Sequence, residues 1–160
     1  MDYPDRIKTL IYEQLLQFSH LHEQRMELEL KEIKKMVQLQ QLKDVPGNLS
    51  TIHVLDCIGD HEPINHSAIA EKLKLSKASI TKISKKLLEL ELIHRTQLND
   101  NRKEVYFRLT PQGKQLFEMH RSMHEAEEQR FMRFLDHYSD DELHTILKFF
   151  QGMARYIDER

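Results

Sequence analysis

The chain has few of the residues on which several protein classes depend. Its 160 residues include one cysteine, Cys57, and four glycines. No apolar run approaches the ~20 residues that span a bilayer. A single cysteine excludes an internal disulfide and agrees with a reducing cytoplasm. The apolar stretch around it, VLDCI, predicts a small core residue rather than a redox sensor. The N-terminus, MDYPDRIKTL, lacks the apolar region of a secretory signal peptide, so we expect a cytoplasmic protein.

The same scarcity argues against an enzyme. Nothing in the sequence resembles a P-loop, a nucleophile elbow or a CxxC motif. Hydrophobic residues make up 39% and charged residues 31% of the chain, which favours a folded, helix-rich protein over a disordered one. The length suits one compact unit with a dimerisation arm. We therefore expect a binding protein without catalytic residues.

The charge is small overall but unevenly distributed. The formal net charge is −2, which by itself speaks against a nucleic-acid partner. Residues 74–103, however, contain eight basic and three acidic side chains, whereas residues 114–145 contain four basic and eight acidic ones. A local positive field is what steers a polyanion onto one surface. The basic segment is therefore a candidate DNA-binding surface.

The two ends of the chain have helical periodicity. From Pro4 to about Leu42 apolar residues recur every three or four positions, which predicts one long helix or two with a bend, ended by the turn at 44–47. Asn48 or Ser50 would cap a helix that continues to about Gly59. Thr110-Pro111 opens another long helix, and the Ser139–Glu142 capping box opens the last one. We expect a mainly α fold with a small β-wing, in which residues 1–47 and 111–160 form dimerisation helices around a DNA-binding domain at 48–110.

Residues 64–113 have the order of a winged helix-turn-helix: helix, tight turn, helix, strand, polar tip and strand. In the second helix, capped by Ser76, the apolar residues point inward, which leaves a polar face for the major groove. The wing comprises 92–97, a tip at 98–103 and 104–109, and an arginine on such a tip suits the minor groove. The alternatives without a DNA-binding role are a solvent-exposed basic helix in place of the groove-reading helix and an ordinary surface turn in place of the wing tip. The candidate DNA-binding residues are Ser76, Lys77, Ser79, Thr81, Lys82, Lys85, Lys86, Asp100, Arg102 and Lys103.

Two stretches carry a family resemblance. AIAEKLKLSKASITKISKKLLELELI and NDNRKEVYFRLTPQG closely resemble the MarR family of dimeric bacterial repressors. The marker is an Asp-x-Arg wing, here Asp100-Asn101-Arg102, followed by Leu109-Thr110-Pro111-Gln112-Gly113. The resemblance covers about residues 48–155. It implies a homodimer on a pseudo-palindromic DNA operator, with Arg102 in the minor groove and the helix 76–86 in the major groove.

The chain is rich in histidine, with ten residues of this type. His120 and His124 are four apart on a predicted helix, so both rings lie on one face and could hold one metal ion. In a chain of this length and composition the number of such pairs expected by chance is about one half, so the pair by itself is a weak signal. Taken singly, these histidines are better interpreted as surface or core residues.

The resemblance extends to one subset of the MarR family, the zinc-uptake repressors of the AdcR/ZitR type, which bind zinc with three histidines and a glutamate. The similar positions here are His53 in the second helix, His120 and His124 after the wing, and Glu23 in the first helix. The segment between Glu23 and His53 is about a dozen residues longer than in those repressors, so Glu27 or His20 could replace Glu23. The resemblance implies one Zn²⁺ site per protomer, with zinc as a co-repressor of metal-uptake genes.

Two other functions remain open from the sequence. Many MarR relatives bind aromatic acids, which release the protein from DNA, so the effector could be a small organic ligand. A winged helix can also act as a protein-interaction module. Steep salt dependence of DNA binding would favour the DNA reader over that module.

Overall fold

The long N-terminal segment folds as a single helix. The computed structural model describes residues 3–39, 46–97 and 104–159, and within them α1 spans Tyr3–Leu39 without interruption. The alternative of two helices with a bend is therefore wrong for this segment. Of the turn expected at 44–47, Asp44 and Val45 lie outside the described residues. Ile33 and Val37 on α1 are buried, while most apolar residues nearer the N-terminus are exposed. The buried face of α1 is thus confined to its C-terminal third.

A capped helix forms the centre of the core. α2 spans Leu49–His61, and Asn48 is its N-cap, because its side chain accepts a hydrogen bond of 2.9 Å from the amide of Thr51. Ile52, Leu55 and Ile58 are fully buried, as their spacing predicts. Cys57, on the same helix, is also buried, which confirms the prediction of a core residue. Burial raises the pKa of the Cys57 thiol, as expected for an unreactive side chain.

The helix-turn-helix is present as predicted. α3 spans His66–Leu73 and α4 spans Lys77–Glu89. Lys74 ends α3 in the left-handed conformation (φ 52°), which turns the chain tightly towards the next helix. Ser76 caps α4 by accepting a hydrogen bond of 3.1 Å from the amide of Ser79. Contacts of both helices with α2 complete this part of the core.

A small antiparallel sheet follows the helix-turn-helix. β2 (Ile93–Thr96) and β3 (Tyr106–Leu109) form the base of the wing, in the positions that the sequence predicts. A third strand, β1 (Ile64–Asn65), pairs with the other edge of β3 and was not predicted. The strand order is β1-β3-β2. The mainly α fold with a small β-wing is therefore confirmed.

The C-terminal part consists of two helices, α5 (Pro111–Leu135) and α6 (Asp140–Asp158). Thr110 caps α5, since its hydroxyl oxygen accepts from the amide of Gly113 at 3.0 Å. The predicted capping box of α6 is present, because Glu142 accepts hydrogen bonds of 2.8 Å from the backbone amide and the hydroxyl of Ser139. By backbone contacts the chain divides into two units, Met1–Glu118 and Met119–Arg160. Among the described helices, none has the length and apolar character needed to cross a membrane.

Candidate nucleic-acid interface and metal centre

The polar face of α4 is solvent-exposed, as a groove-reading helix requires. Lys77, Thr81, Lys82, Lys85 and Lys86 are exposed, whereas Ile80 and Leu87 on the opposite face are fully buried. The described residues form no ion pair with these lysines, so their charges are available to an external anion.

The hydroxyl groups at the start of α4 are already engaged locally. The oxygens of Ser76 and half-buried Ser79 are 2.8 Å apart, and Thr81 donates to the carbonyl of Lys77 at 2.9 Å. These bonds are short-range and lie at the surface, so each oxygen can still accept or exchange a hydrogen bond with a ligand. The serines and the threonine are therefore placed for polar contacts at the helix N-terminus, with the lysines further along.

A cavity of about 480 Å³ lies beside this face of α4. One wall is formed by Asn48, the N-cap of α2, with Ser50 and Thr51 of its first turn. The other wall comes from α4 and includes Lys82, Lys85 and Lys86. The start of α2 thus lies next to the basic face of α4. The predicted wing-tip residues Asp100, Arg102 and Lys103 lie outside the described residues.

Four potential metal ligands meet in the structure. Glu29 on α1, His53 on α2, and His120 and His124 on α5 each offer one ligand atom, and these atoms lie within 4.8 Å of one another. Glu29 and His53 are half-buried, His120 is fully buried and His124 is exposed. The rings of His120 and His124 are in edge-to-face contact, with centroids 4.4 Å apart. Within the described residues this is the one such group of histidine, cysteine and acidic side chains.

The carboxylate of this group is Glu29 and not the expected Glu23. Glu23 and the alternative Glu27 are exposed and lie outside the group, and the imidazole of His20 instead contacts the side chain of Gln24 at 3.2 Å. Glu29 precedes the buried Ile33 by four residues, so the two share a helix face. The half-buried Met26 and Leu30 mark the same face. The periodicity of α1 therefore contained a signal for Glu29 that sequence reasoning did not use.

Several other histidines have surroundings that are separate from this group. The rings of His137 and His144 each bond a carbonyl oxygen three or four residues earlier, at 3.0 and 2.7 Å. His22 stacks on Phe18 with ring centroids 6.2 Å apart. His66 packs edge-on against Phe107, and burial together with the nearby Arg95 lowers the pKa of His66. A high histidine content is thus not itself the signal for the cluster.

Comparisons with known proteins agree with this geometry. The family model described as the MarR family matches residues 48–105. Over 154 residues the chain is 42% identical to the HTH-type transcriptional regulator PchR of Bacillus subtilis (strain 168), and the match covers 96% of this chain and 91% of that protein. The chain belongs to the MarR family. It is accordingly a DNA-binding transcriptional regulator and not an enzyme.

A second MarR relative matches a shorter part of the chain. The transcriptional regulator ZitR of Lactococcus lactis subsp. cremoris (strain MG1363) is 32% identical over 88 residues, which cover 55% of this chain and 61% of ZitR. The crystal structure of Lactococcus lactis ZitR, described as a zinc-responsive MarR family member, matches with a TM-score of 0.63 and 24% identity. That match covers 83% of this chain and 98% of the ZitR chain. At this level of identity it shows a similar fold alone.

Proposed function

We propose that this MarR regulator is a cytoplasmic homodimeric repressor whose affinity for its DNA operator is raised by zinc, and that it controls metal-uptake genes. The observation that supports this most strongly is the meeting of Glu29, His53, His120 and His124 within 4.8 Å. The sequence relative ZitR, whose structure is described as that of a zinc-responsive MarR protein, gives independent support.

The four side chains fit a zinc ion by their chemistry. Zinc binds both neutral imidazole nitrogens and carboxylate oxygens, and four protein ligands complete the tetrahedral shell of a structural zinc site. A bound Zn²⁺ would supply a fixed double positive charge that the Glu29 carboxylate partly neutralises. Because no coordination position remains for a water nucleophile, this donor set suits sensing rather than hydrolysis.

The DNA contacts that we propose follow the two surfaces of the winged helix. The exposed face of α4 enters the major groove, where Ser76, Lys77, Ser79 and Thr81 lie near base edges and phosphates, and Lys82, Lys85 and Lys86 lie over the flanking phosphates. Arg102 at the wing tip enters the minor groove, with Asp100 orienting it and Lys103 beside it. This assignment rests on exposure and charge in α4 and on the family resemblance at the tip.

A bound metal ion would affect α4, the proposed recognition helix, through α2. His53 lies on α2 one turn after the residues that face the cavity beside Lys82 and Lys86. Holding His53 together with Glu29 and the α5 histidines restrains α2, and α2 packs directly against α4. A coupling free energy of about 1–3 kcal/mol between the two sites would change operator affinity roughly 5- to 150-fold.

A second copy of the chain is the partner that we propose for the terminal helices. α6 has a strong apolar stripe, yet none of its residues is buried, and exposed apolar side chains also follow α1 and α5. Exposed apolar stripes on helices favour an interface with another chain. The exposed residues include Ile7, Leu10, Ile11, Phe18, Phe131, Phe134, Leu147, Phe150 and Ile157.

The test is operator binding with and without zinc. DNA affinity is measured by fluorescence anisotropy on a duplex selected by the wild-type protein from a random pool, first with a chelator and then with free zinc. We expect zinc to tighten wild-type binding within the range given above. His124→Ala should keep the chelator value and lose the zinc effect, because His124 is exposed and distant in sequence from α4. His144→Ala is the matched control, since the described contact of its ring is to a carbonyl of its own helix.

Two outcomes would contradict the proposal. If His124→Ala retains the zinc effect, the histidine cluster is not the sensor. If His124→Ala weakens binding equally in chelator and in zinc, the residue supports the fold rather than the metal response.

An organic acid is the second candidate effector. The lysine-lined cavity beside α4 has a volume of about 480 Å³, within the range of about 300–1,000 Å³ that small-molecule sites occupy. A thermal-shift screen separates the candidates, because a ligand stabilises the state that it binds. Stabilisation by aromatic carboxylates and none by zinc would favour this effector.

A further inference from the structure

One asparagine joins the start of the helix-turn-helix to the wing. Asn65 is both the last residue of β1 and the N-cap of α3, and its side-chain oxygen accepts a hydrogen bond of 2.8 Å from the amide of Ala68. Its side-chain nitrogen donates to a carboxylate oxygen of Glu104, 39 positions later in the chain. The side-chain oxygen of Asn65 therefore caps α3, while its side-chain nitrogen binds the wing.

The carboxylate that receives this bond is at the base of the wing. Glu104 is the first described residue after the tip, and it is half-buried. While one of its oxygens accepts from Asn65, the other accepts from the hydroxyl of Tyr106 at 3.0 Å, a bond that also raises the pKa of Tyr106. Tyr106 is the register partner of Asn65 across β1 and β3. The carboxylate of Glu104 thus joins one side chain of β1, that of Asn65, to one of β3, that of Tyr106.

The described contacts of the wing strands with the helical core lie at the end away from the tip, where Phe107 is fully buried and the amide of Leu109 donates to the carboxylate of Glu62 at 2.6 Å. Its two strands have four residues each, and an isolated hairpin of that size is marginally stable in water. The backbone pairing of β3 with β1 covers only two residue pairs. The Asn65–Glu104 bond extends this connection by one side-chain contact nearer the tip, beyond the Asn65–Tyr106 pair at which the backbone pairing ends.

We propose that Asn65 and Glu104 act as a pair of positioning residues that holds the wing against the helix-turn-helix and thereby sets its contribution to operator affinity. The inference rests on the proposed DNA contacts, because Arg102 precedes Glu104 by two residues in the wing. Neither Asn65 nor Glu104 needs to touch DNA for this role. A carboxylate at position 104 would even be unfavourable beside a phosphate, so its presence favours a structural bond over a DNA contact.

The test is one substitution that separates the two bonds of Asn65. In Asn65→Asp the new carboxylate can still accept from the amide of Ala68, because aspartate and asparagine cap helices equally well. It cannot donate to Glu104, and it places a second negative charge beside that side chain. We expect operator affinity to fall about tenfold, since a hydrogen bond to a charged group corresponds to roughly one to two powers of ten in an equilibrium. Hydroxyl-radical protection of the minor groove should be lost, while protection of guanine N7 in the major groove persists.

The rescue variant combines Asn65→Asp with Glu104→Gln. The introduced amide can donate to the introduced carboxylate, while its oxygen still accepts from Tyr106. We expect most of the affinity and the minor-groove protection to return. Glu104→Gln alone keeps an acceptor for Asn65 and should lose much less than Asn65→Asp. The double-mutant cycle thus separates the coupling of the pair from the effects of added or removed charge.

Amide hydrogen exchange of the free protein gives a readout without DNA. Exchange across 104–109 should rise in Asn65→Asp and return towards the wild-type rate in the double variant. The inference is overturned if Asn65→Asp binds and exchanges like the wild type, or if the double variant is no better than Asn65→Asp. A wild-type protein that selects no duplex at all would refute the proposed DNA contacts themselves, which is a different result from normal wild-type binding that Asn65→Asp leaves unchanged.

Discussion

The carboxylate of the metal centre can be identified by one pair of matched substitutions, Glu29→Gln and Glu23→Gln. Both glutamates lie on α1, and glutamine keeps the length and the helix propensity of the side chain while it removes the charge. Only Glu29 offers an oxygen within 4.8 Å of ligand atoms on the three histidines. Six residues of helix separate the two positions by about 9 Å along the axis and by about 120° around it. A change of rotamer therefore cannot bring the carboxylate of Glu23 to the position of the Glu29 carboxylate.

The expected loss of zinc affinity in Glu29→Gln follows from the removal of one of the four ligands. Removal of even an outer-shell partner lowers metal affinity about 10- to 100-fold, so loss of the Glu29 carboxylate should cost at least about tenfold. Zinc at 100 times its dissociation constant stabilises the wild type by about 2.7 kcal/mol, and a tenfold weaker site leaves about 1.4 kcal/mol. At about 2–4 °C per kcal/mol, the zinc-induced rise in Tm falls from roughly 5–11 °C to roughly 3–6 °C in Glu29→Gln. Glu23→Gln should retain the full rise.

The measurements are a zinc titration against a chromophoric chelator and thermal melts followed by circular dichroism, with and without zinc. Metal-free melts of both variants provide the control for effects on folding. The reasoning fails if Glu23→Gln weakens zinc binding and Glu29→Gln does not. It also fails if both variants bind zinc as tightly as the wild type.

Four further predictions concern the rest of the chain. Gly113→Ala should lower the free energy of unfolding by about 1–3 kcal/mol in urea, because an added Cβ would lie 1.8 Å from the carbonyl oxygen of Leu92; an unchanged midpoint would contradict this contact. Lys82→Ala should reduce the slope of log affinity for DNA against log salt by about one, and an unaltered slope would exclude a phosphate contact. Bonds from the α6 capping serine lower the pKa of Glu142, so its stabilising effect is complete above the ordinary pKa of 4.5 and is lost as pH falls through the lower folded value; the Tm of Glu142→Gln should fall less steeply over that acidic range. Cys57 should react with a thiol reagent much more slowly in native protein than in urea, because it is buried and its pKa is raised.

The elements that sequence reasoning predicted well are those with local signals. Asn48, Ser76, Thr110 and Ser139 each begin a helix as expected, because a cap acts within three residues and leaves a mark at a fixed spacing. The antiparallel strands of the wing base are likewise specified by a short alternating pattern around a polar tip. In contrast, β1 has two residues, too few for any periodicity, and it exists because Ile64 and Asn65 meet β3 some forty positions later.

The candidate metal site shows the same division between local and long-range information. His53, His120 and His124 could be selected because each lies at a short, fixed distance from a motif that the sequence displays, and the i, i+4 spacing of the last two is itself a local signal. No motif of that kind lies near the glutamate in the sequence. The glutamate was selected by comparing the first helix with that of the similar repressors, although the segment between it and His53 is longer in this chain. Helix geometry identifies the glutamate ligand better than its sequence distance from a motif does. A side chain on α1 can reach ligands on α2 and α5 only from the face that carries Ile33 and Val37, and Glu29 is on that face. For a ligand on a long helix, the buried face is therefore a better guide than its distance along the sequence from a matched motif.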